Sequence, residues 1–257
     1  MKKSNRLTTA TSSVDQFLAG VDQHPTPSNK ALNQTDTGCS GRLIFALDAT
    51  ASRQPTWDSA SQLQAEMFSS TQGIGQLQVK LCFYRGFGEL RFSPWHNDAD
   101  KLIRAMSAVQ CRAGQTQIRR LLEHALKLQQ EQQDQQRSIQ ALVFIGDCIE
   151  ESVDQLCQLA GQCGLLRLPL FLFQEGNDPV ASSGFSQMAR LSKGAHCRFD
   201  LNSPERLKEL LNAVAIYATG GAAALLQYQQ SGSTALQQLT QQLIQQSPRQ
   251  QTDSSDK

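Results

Sequence analysis

The sequence predicts an α/β fold: a three-layer sandwich built on a mostly parallel six-stranded sheet with one antiparallel edge strand. Three observations point there. From Arg42 onward, short apolar runs alternate with longer segments of helical periodicity, as expected of strands joined by crossover helices. The runs are continuous rather than alternating, so both faces of the sheet must be covered. One connection, between the second and third runs, is brief and suits a hairpin.

The elements follow in order. LIFAL (43–47) is a buried first strand, and 54–70 is helical in character. LQVKLCFYR (77–85) is the second strand. GELRFSP (88–94), after Gly86 and Gly88, is the third and completes the hairpin, with Trp95 in the loop beyond it. Asn97-Asp98 opens a helix reaching about Val109, with Leu102, Ile103 and Met106 on one face. Residues 116–136 form a long helix with Ile118, Leu121, Leu122, Ala125 and Leu126 inward. IQALVFIGD (139–147) is the fourth strand, 152–163 a helix, LPLFLFQEG (168–176) the fifth strand, 180–192 a helix and HCRFDL (196–201) the last strand. Ser203 as N-cap and Pro204 at the first helical position begin the last domain helix.

This places the domain at 41–221. Residues 1–40, rich in Ser, Thr, Asn, Gln and Pro, read as a disordered N-terminal segment. Within them Val14, Phe17, Leu18 and Val21 have helical spacing and could serve as a short docking motif. Residues 222–257 read as a Gln-rich, partly helical tail, with Leu236, Leu239, Leu243 and Ile244 at helical spacing.

Lys plus Arg number 24 against 23 Asp plus Glu, a net charge of +1, which argues against nucleic acid as the main ligand. The polar content is carried instead by 35 glutamines, concentrated at 129–140 and 227–251, and expected as uncharged surface and tail. The N-terminal basic residues have no apolar run behind them, so no secretory signal is expected. The uncharged stretch Leu210–Tyr228 reaches spanning length, but it continues a helix from Glu205 and reads as a buried domain helix rather than a membrane span. Seven cysteines, with no C-x-x-C pair and several inside apolar runs, suit a reduced, cytoplasmic setting. The four histidines are scattered, which disfavours zinc.

In an open α/β sheet, ligands bind at the carboxyl ends of the strands. Three segments put polar groups there: Asp48-Ala49-Thr50-Ala51-Ser52, Gly114-Gln115-Thr116 and Gly146-Asp147-Cys148. Asp48, Thr50, Ser52, Thr116 and Asp147 supply two carboxylates and three hydroxyls, an all-oxygen set that suits a hard cation such as Mg²⁺ or Mn²⁺. Singly, each residue reads more simply as a cap or turn former; together at three strand ends they favour a metal. Glu150-Glu151 reads as a cap for the helix that follows it. Cys111 and Cys148 offer a redox-sensitive rim.

LIFALDATASRQ, the Thr116 loop in AGQTQI and Asp147 in VFIGDCIEE together resemble the metal-ion-dependent adhesion site of von Willebrand factor A domains, over about residues 42–218. That family uses D-x-S-x-S after the first strand, a Thr in a later loop and an Asp after the fourth strand. Thr50 departs from the Ser but keeps the hydroxyl, and the Asp147 segment lacks the usual Thr-Asp-Gly run. The resemblance implies a Rossmann-like sandwich and a metal at which a partner's Asp or Glu completes the shell. It implies a non-enzymatic adaptor or assembly factor. The resemblance to stand-alone, bacterial-type members also implies a protein partner, such as an AAA+ ATPase or chaperone-type protein. Two alternatives remain at this point. A haloacid-dehalogenase-type phosphohydrolase would need D-x-D, and position 50 is Thr. A metal-free scaffold would use the Gln-rich tail to self-associate. No P-loop, G-x-G-x-x-G after the first strand or G-x-S-x-G is present.

Overall fold

The computed structural model describes residues 41–54, 77–134, 137–200, 204–229 and 234–246. Its strands are β1 (Arg42–Asp48), β2 (Gln78–Arg85), β3 (Glu89–His96), β4 (Ala141–Gly146), β5 (Leu170–Glu175) and β6 (Ala195–Phe199). They form one sheet in the order β3-β2-β1-β4-β5-β6, parallel throughout except for the β2–β3 hairpin. The helices are α1 (Ala99–Ser107), α2 (Ile118–Asp134), α3 (Val153–Leu165), α4 (Pro179–Ser192), α5 (Pro204–Gln229) and α6 (Thr234–Gln246).

The pleat of β1 shows why its apolar run is continuous. Leu43, Phe45 and Leu47 pack on one face with Leu102 and Met106 of α1, Leu210 and Val214 of α5 and Leu239 of α6. Ile44 and Ala46 pack on the other with Leu121 and Leu122 of α2, Leu156 of α3 and Phe185 of α4. A strand buried on both sides has no polar face to show. The α/β class, the sheet of mostly parallel strands and the antiparallel edge strand are therefore as expected.

Several boundaries differ. Trp95 lies inside β3, where the guanidinium of Arg42 and the ammonium of Lys80 sit over its ring at 5.0 and 5.4 Å. The strand runs on past Pro94 because β3 is an edge, where a residue lacking N–H is tolerated. The long helix starts at Ile118 rather than 116. The core does not stop at 221. α5 kinks at Gly221, whose φ is 69°, and continues to Gln229; α6 then lies along β6, and Leu225, Leu236, Leu239 and Leu243 join the same core as β1. Glu205–Tyr228 is long and apolar enough to cross a membrane, and its Leu207, Leu210, Leu211 and Val214 are buried against the sheet. The 54–70 helix beyond its first residue, the 1–40 segment with its 14–21 motif, Ser203 and the end of the tail lie outside the described residues.

The glutamines are not all surface. Gln129, fully buried, accepts from Ile139 N at 2.7 Å and donates to the Ile139 and Leu166 carbonyls at 3.2 and 3.1 Å, fastening α2 to the start of β4. Gln242 of α6 accepts from His196 N and donates to His196 O, both at 2.9 Å. Its amide thus occupies the hydrogen-bonding groups of one residue on the β6 edge, as a neighbouring strand would.

Candidate metal centre at the sheet switch point

The chain runs outward from β1 to β2 and β3, then returns to β4 on the other side of β1. The crevice of an open α/β sheet lies where the order reverses, here at the carboxyl ends of β1 and β4. Asp48 closes β1, in register with Tyr84 of β2, and Asp147 follows the last residue of β4. Gly146 permits a close approach: a Cβ there would fall 2.7 Å from the Phe144 ring and 3.6 Å from Asp48 Cβ.

Asp48 is completely buried. Its Oδ1 accepts from Thr50 N at 2.8 Å and its Oδ2 from the Tyr84 hydroxyl at 3.0 Å. Burial pushes its carboxyl up to about 6; the bonds from Thr50 and Tyr84 oppose the rise, and the negative charge of Asp147 adds to it. Thr50 Oγ1 and Ser52 Oγ lie 3.1 Å apart in one hydroxyl pair. Asp147 Oδ1 is buried with no hydrogen-bond partner. An orphan buried carboxylate oxygen is costly unless a cation or donor satisfies it.

Thr116 joins the centre through Glu150. Thr116 N donates to Glu150 Oε2 at 2.8 Å, and Glu150 N donates to Thr116 Oγ1 at 3.1 Å. Next to it, Glu151 accepts from Ile118 N at 2.7 Å and Arg119 N at 2.9 Å. This corrects the expected role of the acidic pair. It caps the first turn of α2, more than thirty residues earlier, and not α3, whose N-cap Ser152 makes no side-chain cap bond. The Thr116 loop also meets the first loop: Thr50 forms an isolated parallel bridge with Arg112, and Arg112 N donates to Ala49 O at 3.0 Å.

The structure thus brings Asp48, Thr50 and Ser52 into one hydrogen-bonded loop, sets Asp147 beside Asp48, and ties Thr116 to the Asp147 loop. Among the described residues no group of three or more His, Cys, Asp and Glu side chains is gathered for a metal. The candidate set has two carboxylates, with hydroxyls as its other donors.

Two contributors escaped the sequence reading. Tyr84 sits in an apolar run and looks like core; only its register opposite Asp48 reveals the hydroxyl's task. Arg53, 1% exposed, pairs with Glu175 at the end of β5. Burial lowers its pKa, while the charges of Asp48 and Asp147 hold it up. Its signal was its place directly after Ser52. Burial and the charges of Asp147 and Asp48 push the Cys148 thiol up to about 12, which disfavours the reactive thiolate.

Residues 43–149 match the family model of the von Willebrand factor type A domain. No curated protein matches the chain in sequence. Among solved structures, the SpRpn10 VWA domain is similar at 12% identity and a TM-score of 0.56, covering 67% of this chain and 97% of its own. The conserved hypothetical protein BatB from Bacteroides thetaiotaomicron is similar at 14% identity and a TM-score of 0.53, covering 68% of this chain and 99% of its own. The vWF domain of the type V pili tip protein Mfa5 from Porphyromonas gingivalis is similar at 8% identity and a TM-score of 0.53, covering 69% and 94%. Identities this low establish the fold alone. The match over residues 43–149, the strand order and the shared architecture agree on a fold like that of the von Willebrand factor type A domain.

Proposed function

We propose that the chain is a metal-dependent protein-binding module, an adaptor or assembly factor rather than an enzyme. Asp48, Thr50, Ser52, Thr116 and Asp147 would hold Mg²⁺ or Mn²⁺. The observation that carries this reading is the buried Asp147 Oδ1 without a hydrogen-bond partner beside the buried Asp48 carboxylate. A hard cation there would supply a positive charge left partly uncompensated, attractive to an Asp or Glu of a partner. The protein's own groups provide the frame. Tyr84 and the Thr50 amide orient Asp48, and the Thr116–Glu150 pair holds the two later loops together. The partner in this reading is a protein of AAA+ ATPase or chaperone type, and the setting is the reduced cytoplasm, in keeping with free cysteines at 82, 111, 148, 157, 163 and 197.

Isothermal titration of the full chain with MgCl₂ and MnCl₂ tests the metal. Saturable binding, lost in Asp48→Ala, is expected; silence at millimolar metal overturns it. Affinity capture with and without EDTA tests the partner's dependence on it. Arg53 favours one competing reading, a metal-free scaffold in which its buried guanidinium compensates the carboxylates. The same titration separates the two. Turnover of a generic phosphate ester, abolished by Asp48→Asn, would instead favour a phosphohydrolase.

A further inference from the structure

The turn joining β2 to β3 presents a large apolar side chain that the fold does not use. Phe87 is 85% exposed. Its neighbours Gly86 and Gly88 have φ of 59° and 139°, left-handed values that favour glycine. The turn is nevertheless held firmly. Gly86 O accepts from Gln115 N and Gln117 Nε2, both at 3.3 Å, and Gly88 O accepts from Arg120 Nη1 at 2.9 Å. Gly114 packs so close that a Cβ on it would fall 2.1 Å from Gly86 O. An aromatic ring on a braced turn is a low-entropy anchor for a partner. Because Gln115 precedes Thr116, the anchor stands at the edge of the candidate centre.

The ring's surroundings are basic. Arg85, Arg91 and Arg112 share one carboxylate, Glu89, at 2.9, 3.6 and 3.5 Å, and Arg120 braces the turn itself. The side chains of Arg91 and Arg112 are 43% and 57% exposed. Across the Thr116 loop, Glu150 and Glu151 are engaged with backbone amides. Positive charge is concentrated here although the whole chain carries only +1, so no broad basic field for nucleic acid accompanies it.

We propose that the Phe87–arginine corner is a docking surface for an acidic protein segment bearing an apolar side chain: the apolar group packs on Phe87 and the flanking carboxylates pair with Arg112, Arg120 and Arg91. The inference rests on the protein-binding reading but does not need the metal. Peptide-display selection on the full chain, run in MgCl₂ and in EDTA, is the test. Enrichment of peptides with Asp or Glu around one apolar residue is expected in both buffers. It should fall at least tenfold in Phe87→Ser and in Arg112→Ala, with circular dichroism and melting unchanged. Absence of such enrichment, or full enrichment in both variants, overturns the proposal. Enrichment that needs Mg²⁺ and is abolished by Asp48→Ala but not by Phe87→Ser leaves the metal reading standing and removes this surface. A labelled twenty-residue oligo-dT that binds through Phe87, without acidic-peptide enrichment, overturns it in favour of nucleic acid.

Discussion

Thr116 and Glu150 grip each other twice: the Thr116 amide donates to the Glu150 carboxylate at 2.8 Å, and the Glu150 amide donates to the Thr116 hydroxyl at 3.1 Å. The pattern is that of a capping box formed between two loops rather than within one helix. Beside it, Glu151 takes the Ile118 and Arg119 amides at the positive end of α2.

Glu150→Ala should therefore lower stability by about 0.5–2 kcal/mol, the usual loss for a side chain that caps a backbone amide. Glu150→Gln, which keeps an acceptor, should lose less. Urea denaturation of the two variants measures both. Equal midpoints for Glu150→Ala and wild type would show that the grip contributes nothing.

In the proposed metal centre, Asp48 sets stability against metal binding. Burial and the charge of Asp147 disfavour its ionised form, so in EDTA Asp48→Asn should raise stability by about 1 kcal/mol. If the proposed centre binds Mg²⁺, millimolar Mg²⁺ should raise the melting temperature of the wild type, and the same change should abolish that rise. Thermal melts in the two buffers, for both proteins, check the pair of outcomes together.

His196 predicts an acid dependence. Burial, with Arg198 on the same strand, lowers its pKa to about 4 from an ordinary 6.5. Arg190 of α4 lines the same cavity of about 510 Å³, and the ring nitrogen Nε2 lies 3.2 Å from Gln174 Oε1. The unfolded chain binds the proton first, so stability is full above about 6.5 and is lost as pH falls toward 4. His196→Asn should flatten the pH dependence of the urea midpoint across that window; an unchanged slope would assign it to other groups.

α6 belongs to the core. Leu239 is fully buried, and Leu239→Ala should cost about 2–5 kcal/mol by the transfer-plus-cavity rule for buried leucines. Chemical denaturation gives the value. A loss below about 0.5 kcal/mol would return α6 to the status of a loosely attached tail.

The fold was legible because burial on both faces writes an unbroken apolar run, as in LIFAL and ALVF. The candidate site was legible for a local reason: Asp48, Thr50 and Ser52 follow one strand end, where alternate residues share a side. Relations across the sheet were hidden. Tyr84 reads as apolar until the register sets it opposite Asp48. Glu151 reads as a cap for its own helix until the β4 end is placed beside α2. The leucines of α6 have visible helical spacing, but spacing does not name the surface they cover. Gln129 and Gln242 look like solvent-facing polarity, because nothing in a glutamine's neighbours along the chain marks it as a backbone clamp.

The Gln242 clamp leaves the two margins of the sheet answerable to different solution conditions. At β3 the margin carries Arg91 and Pro94, and the deterrent supplied by Arg91 is electrostatic, weakening as dissolved ions accumulate. At β6 the margin also carries Arg198, but the backbone of His196 is closed by a neutral amide that neither gains nor loses a proton between acid and base. That closure holds alike in dilute buffer and in brine, a protection for which the β3 margin has only charge and Pro94.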